Sequence, residues 1–164
     1  MNNRLAFACI AAAFLLRSIG ACAEPPLEPC LKATRDAAAK LDYKAAINAA
    51  DVCVAQFRAL ADREQAALEA EKAPQPPEGE RVSDFDKNRI FKRNILNTVA
   101  ASLFFKGWAA EQLFRDTGKP ELRDLARTSY MSTRRYTYAR FWGERGSIFS
   151  PAESARQRLE EIKW

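Results

Sequence analysis

Residues 95–114 read Ile95-Leu96-Asn97-Thr98-Val99-Ala100-Ala101-Ser102-Leu103-Phe104-Phe105-Lys106-Gly107-Trp108-Ala109-Ala110-Glu111-Gln112-Leu113-Phe114. Ile95, Leu96, Val99, Leu103, Phe104, Ala110, Leu113 and Phe114 recur at three- and four-residue spacing, which is one face of an α-helix. No face beyond residue 23 is more hydrophobic. Upstream, Ser83 has an acid three residues on at Asp86, and Phe85 opens the apolar pattern, so Ser83 reads as an N-cap. Downstream, Gly118 of Thr117-Gly118 can take the left-handed conformation that closes a helix. One long helix from Ser83 to about Asp116 is predicted.

Helical signals continue on both sides. Leu27, Cys30, Leu31, Thr34, Ala38 and Leu41 line one side of a first helix, with Pro29 tolerated in its first turn. Ile47, Ala50, Val54, Phe57, Leu60 and Leu68 mark a second, from about Lys44 to Glu71. Pro120 can open a helix running to about Trp142 and stopped by Gly143. Ser150-Pro151-Ala152-Glu153 is a capping box with proline at N1, starting a short helix to about Lys163. Trp164 is expected to pack beside Leu159 and Ile162 of that helix. β-branched residues are few and period-2 alternation is not found, so the expected fold is all-α: about five helices in antiparallel hairpins. Ala73-Pro74-Gln75-Pro76-Pro77-Glu78-Gly79-Glu80 reads as an exposed loop within one domain over residues 24–164, because neither half alone would bury much apolar surface.

Composition narrows the chemistry. The 164 residues are 48% hydrophobic, enough for a packed core and against wholesale disorder. Histidine is missing altogether, which removes Ser-His-Asp and Cys-His catalysis and every His-containing zinc site. Six glycines argue against a Gly-rich phosphate loop. Asp84 with Asp86 suits a helix N-terminus, and Glu160 with Glu161 a solvated face. No enzyme activity, cofactor or metal is expected.

Residues 1–23 begin with Arg4, continue through an apolar run from Leu5 to Leu16 and end in Ala21-Cys22-Ala23. That is the layout of a secretory signal peptide, and the run is too short to span a bilayer. The expected location is the periplasm or outside the cell. The alternative stays open: Ile19-Gly20-Ala21-Cys22 resembles a lipoprotein lipobox, in which Cys22 would be lipidated and anchor the chain.

Leu41-Asp42-Tyr43-Lys44-Ala45-Ala46-Ile47 resembles the turn of a tetratricopeptide repeat. Tyr43 matches the turn aromatic, Ala46 the small residue where the helices approach, and Ala50 and Cys53 the next contact positions, with Cys30 near the first aromatic position of the preceding helix. Gly107-Trp108-Ala109-Ala110, the turn Asp116–Pro120, and Leu122, Leu125 and Ala126 suggest a second unit. The resemblance implies stacked helical hairpins presenting a concave surface for a partner. A plain helical hairpin has the same small-residue spacing through packing alone.

A turn at Asp42 gives the cysteines a role. Cys30 lies 12 residues before it and Cys53 11 after, so antiparallel helices bring both to one level. A disulfide is expected between them.

Charge is uneven along the chain. Residues 24–80 hold 7 Lys/Arg against 11 Asp/Glu, and residues 81–164 hold 17 against 10. Arginines and aromatics interleave in Arg123, Arg127, Tyr130, Arg134, Arg135 and Tyr138, where planar donors sit beside rigid apolar area. These residues are the expected contact face for a protein or peptide partner, acidic by complementarity. The other reading of the same stretch puts the tyrosines in the core and the arginines in solvent. Nucleic acid does not fit an exported chain. The expected function is that of a noncatalytic binding or scaffold protein of the bacterial cell envelope; the alternative is a small inhibitor or immunity-type protein.

Overall fold

The structure is a computed structural model describing residues 27–143 and 146–162. The expected signal peptide, Cys22 and Trp164 lie outside the described residues. The order is α1 (Leu27–Ala39), α2 (Tyr43–Ala70), α3 (Asp84–Phe91), α4 (Asn94–Thr117), α5 (Pro120–Thr133), β1 (Phe141–Trp142), β2 (Ile148–Phe149) and α6 (Pro151–Glu161). The all-α expectation holds, with six helices and one very short hairpin among the described residues.

Capping follows the sequence signals closely. Asp42 accepts from the Ala45 N–H, Ser83 from the Asp86 N–H and Ser150 from the Glu153 N–H, each satisfying a donor of a first helical turn. Gly118 closes α4 at φ 67°. Proline occupies the first turn of α5 and α6. The turn between α1 and α2 departs from expectation. Leu41 takes φ 59° there and is 65% exposed, so it lies off the buried face of α1.

α4 is the central element and packs on α1, α2, α5 and α6. Leu96, Val99, Ala100 and Leu103 meet Cys53, Val54, Phe57 and Ala61 of α2 in the largest buried cluster. Ala110 meets Ala126 and Tyr130 of α5 and Ala155 of α6 in a second cluster. Cys30 and Cys53 form the disulfide between α1 and α2, with 5.3 Å between their Cα atoms. Such a bond belongs to an oxidising compartment.

Two expectations are corrected. The predicted helix from Ser83 to Asp116 is two helices, broken at Lys92 and Arg93. The Ile90 carbonyl accepts from the Arg93 N–H and from the Asn97 side-chain amide (2.8 Å), in place of the next helical bond. The Asn97 side-chain oxygen in turn accepts from the Arg140 N–H at 2.8 Å. The half-buried Glu64 carboxylate faces the Leu96 N–H at the new N-terminus; desolvation pushes its pKa up, opposed by that N–H and by Arg93.

Second, the predicted fourth helix stops at Thr133 rather than Trp142. Ser129 and Thr133 bond back to the carbonyls of Leu125 and Ser129, a pattern that competes with helix continuation. The chain then turns, and β1 pairs antiparallel with β2, Phe141 opposite Phe149 and Trp142 opposite Ile148. In the proline-rich loop Pro74, Gln75, Glu78, Gly79 and Glu80 are exposed. Pro76 is buried, and Gly79 exchanges two backbone hydrogen bonds with Ile148.

Candidate functional site

The arginines and tyrosines of residues 123–138 do not share one face. Tyr130 is fully buried and donates to Glu111 Oε2 at 2.8 Å. Tyr138 is 7% exposed, with the Arg93 guanidinium 5.7 Å from its ring centroid. Both are therefore corrected from contact residues to core residues. Arg127, Arg134 and Arg135 are exposed and Arg123 is half-buried beside Asp124. Arg134 and Arg135 flank a small depression of about 330 Å³ with Asp62, Gln65 and Glu69 of α2.

Other charged groups serve as internal ties. Glu111, 1% exposed, is ringed by Tyr130, Arg115 and Arg158, which joins α4 to α5 and α6. Burial and the Glu111 charge push the Tyr130 phenol well above its usual pKa. Arg140, 5% exposed, donates from Nε to the Pro76 carbonyl (2.9 Å) and from Nη1 to the Thr137 and Ala139 carbonyls (2.9 and 2.7 Å). Glu78 lies 3.4 Å from it. Burial draws the Arg140 pKa down, and Glu78 opposes that shift. This guanidinium pins the proline-rich loop to the body.

A larger concavity lies elsewhere, between α1, α4 from Asn94 to Trp108 and the β1–β2 hairpin. Its volume is about 1070 Å³. Phe104, Phe105 and Trp108 come from α4, Phe91 from the end of α3, and Phe141, Trp142 and Phe149 from the hairpin. Phe104, Phe105, Phe141 and Phe149 form one run of ring contacts, Phe91 and Trp142 a separate stack, and Trp108 packs edge-on against Tyr43. Phe141 meets Phe105 and Phe149 edge-on, with centroids 5.5 and 5.2 Å away. Phe91 stacks on Trp142 at 4.4 Å and 10°, and Phe91 remains 58% exposed. Isolated exposed apolar residues are ordinary, whereas contiguous aromatic surface in a concavity marks a binding site.

Leu27, Leu31, Lys32, Arg35 and Asp36 of α1 form the opposite wall. Lys32 pairs with Asp36 and holds that carboxyl below its usual pKa. Arg35 sets its guanidinium 5.2 Å from the Phe141 centroid, a cation–π contact, and makes no salt bridge among the described residues.

No family model, curated protein or solved structure matches this chain. Its site is therefore read from geometry alone.

The groove is not legible in the sequence. Its walls come from residues 27–39, 91–108, 141–143 and Phe149, and residues 141–142 read in the sequence as the end of a helix. The available signal was the density of Phe and Trp in residues 91–108 and 141–149. In chemical terms the arrangement offers a large apolar contact area, a few polar groups at the rim and, among the described residues, one cation without a salt bridge.

Proposed function

We propose that this chain is a noncatalytic binding protein that acts in the cell envelope, with the aromatic groove as its binding surface. The observation that carries this reading is the convergence of seven aromatic rings from α3, α4 and the hairpin on one concavity of about 1070 Å³. Export is supported by the signal-like layout of residues 1–23 and by the Cys30–Cys53 disulfide. Among the described residues no helix is long and apolar enough to cross a membrane.

A noncatalytic role is supported by the groove's titratable groups, Lys32, Arg35 and Asp36, two of which neutralise each other. The exposed Arg134 and Arg135 are a weaker candidate for the contact, since the aromatic partners expected beside them lie in the core.

The test is capture from an envelope extract followed by native mass spectrometry of what stays bound. The parent chain is compared with Phe91→Asp in the groove and with Arg134→Ala/Arg135→Ala. A bound component lost only in the groove variant is the expected result. The arginine pair is exposed and makes no salt bridge among the described residues, so its replacement should leave the melting temperature nearly unchanged. Loss of the component only in the double arginine variant would overturn the assignment.

A further inference from the structure

We propose that the groove binds a single-chain amphiphile with a carboxylate head, a long-chain fatty acid, its hydrocarbon chain against the aromatic wall and its head on Arg35. The proposal rests on the groove being the binding surface. Two features select this ligand, polarity and charge. Against Leu27, Leu31 and seven aromatic rings, the α4 wall offers only Asn94 and Thr98 as polar side chains, and Thr98 is 6% exposed. A peptide laid there would bring a backbone N–H and C=O with every residue, and those turned toward the aromatic wall would find few partners. An alkyl chain has no such groups to satisfy.

The charge at the rim then fixes the head. Lys32 and Asp36 pair with each other, leaving Arg35 as the charged side chain among the described lining residues that makes no salt bridge. Its planar fork matches a carboxylate, and its seat over the Phe141 ring holds it at the groove. A monoanion therefore neutralises the rim and a neutral chain does not. The volume is large enough to seat a small ligand along an open groove.

Trp108 and Trp142 line the groove, so intrinsic fluorescence of the purified chain reports occupancy. The probes are decanoate, dodecanoate and tetradecanoate, each held below its micelle concentration, with dodecanol as the neutral match. Saturable binding is expected, tightening about fourfold per added methylene. Arg35→Gln is expected to weaken dodecanoate about tenfold, while dodecanol binding is the same in both proteins. Arg35 is exposed and makes no salt bridge among the described residues, so this variant should fold as the parent does.

Equal affinity for dodecanol and dodecanoate, unaffected by Arg35→Gln, overturns the carboxylate assignment and leaves the groove as the binding surface. Absence of any saturable change, alongside an extract component that Phe91→Asp still loses, overturns the fatty acid alone. A ligand-free dimer abolished by Phe91→Asp assigns the groove to a second copy and also overturns the proposal.

Discussion

Gly107 lies where α4 comes nearest to α5, and a Cβ there would fall 2.8 Å from Cδ1 and Cε1 of the Tyr130 ring. That ring is fully buried and tied through its hydroxyl to Glu111, so it has little room to retreat. Gly107→Ala should therefore destabilise the chain by about 1–3 kcal/mol in thermal or urea unfolding, although alanine is the better helix former. Tyr130 and Tyr136 give a second outcome at this scale. Both phenols are pushed above their usual pKa, Tyr130 mainly by burial and Tyr136 by burial and its 2.6 Å bond to Asp62. A raised folded pKa means that the folded state holds the proton more tightly. Their contribution to stability is complete below the unfolded value of about 10 and falls as pH rises past it, by about 1.4 kcal/mol per unit for each group. Absorbance titration at alkaline pH should show these two phenols ionising only with unfolding; a normal titration in the folded state would contradict the packing. Tyr130 was legible as a residue of interest and not as a core residue. Its partners lie 19 residues away on α4 and, through Glu111, on α6, and no local spacing reveals such ties.

Helix starts were the most legible elements, because a cap is a local motif: Ser83, Ser150, Pro120 and Pro151 all stand where their chemistry requires. The Cys30–Cys53 bridge was legible for the same reason, since a short turn sets the register of two antiparallel helices. It closes a separation of 23 residues, so replacing both cysteines with serine should lower the unfolding free energy by about 3 kcal/mol in urea titration. The boundaries that misled were decided by distant partners. Asn97 breaks the α3–α4 run by holding the Ile90 carbonyl and the Arg140 N–H together, across 43 residues for the second of these. Past Thr133 a signal was present and missed. Tyr136 and Tyr138 are buried with Thr137 exposed between them, a two-residue alternation of extended chain. Helix-forming neighbours outweighed it, and with it went the hairpin that carries three of the groove's rings.

At the scale of the whole molecule, the split between an acidic first half and a basic second half is partly spent on joining them. Lys106 reaches Asp51 at 2.5 Å, Tyr136 reaches Asp62, and Arg140 reaches Glu78 and the loop carbonyls. Which charges face inward was not readable from their totals, and neither was the groove, whose walls come together only in three dimensions. The Arg140 tie has a consequence for the time course of folding. Most helix packing joins neighbours along the chain, α1 with α2 and α4 with α5, and such contacts form quickly. Arg140 and Pro76 stand 64 residues apart, and Gly79 pairs with Ile148 across a still longer span. Loop closure on that scale comes after the helical hairpins have assembled, so this latch is absent from the rate-limiting barrier and closes on its far side. Arg140→Ala should then speed unfolding by at least about tenfold and leave the refolding rate almost unaltered in stopped-flow chevrons. A matching slowdown of refolding would place the latch at the start of assembly instead. Held late, it sets how long a folded molecule persists rather than how fast one forms.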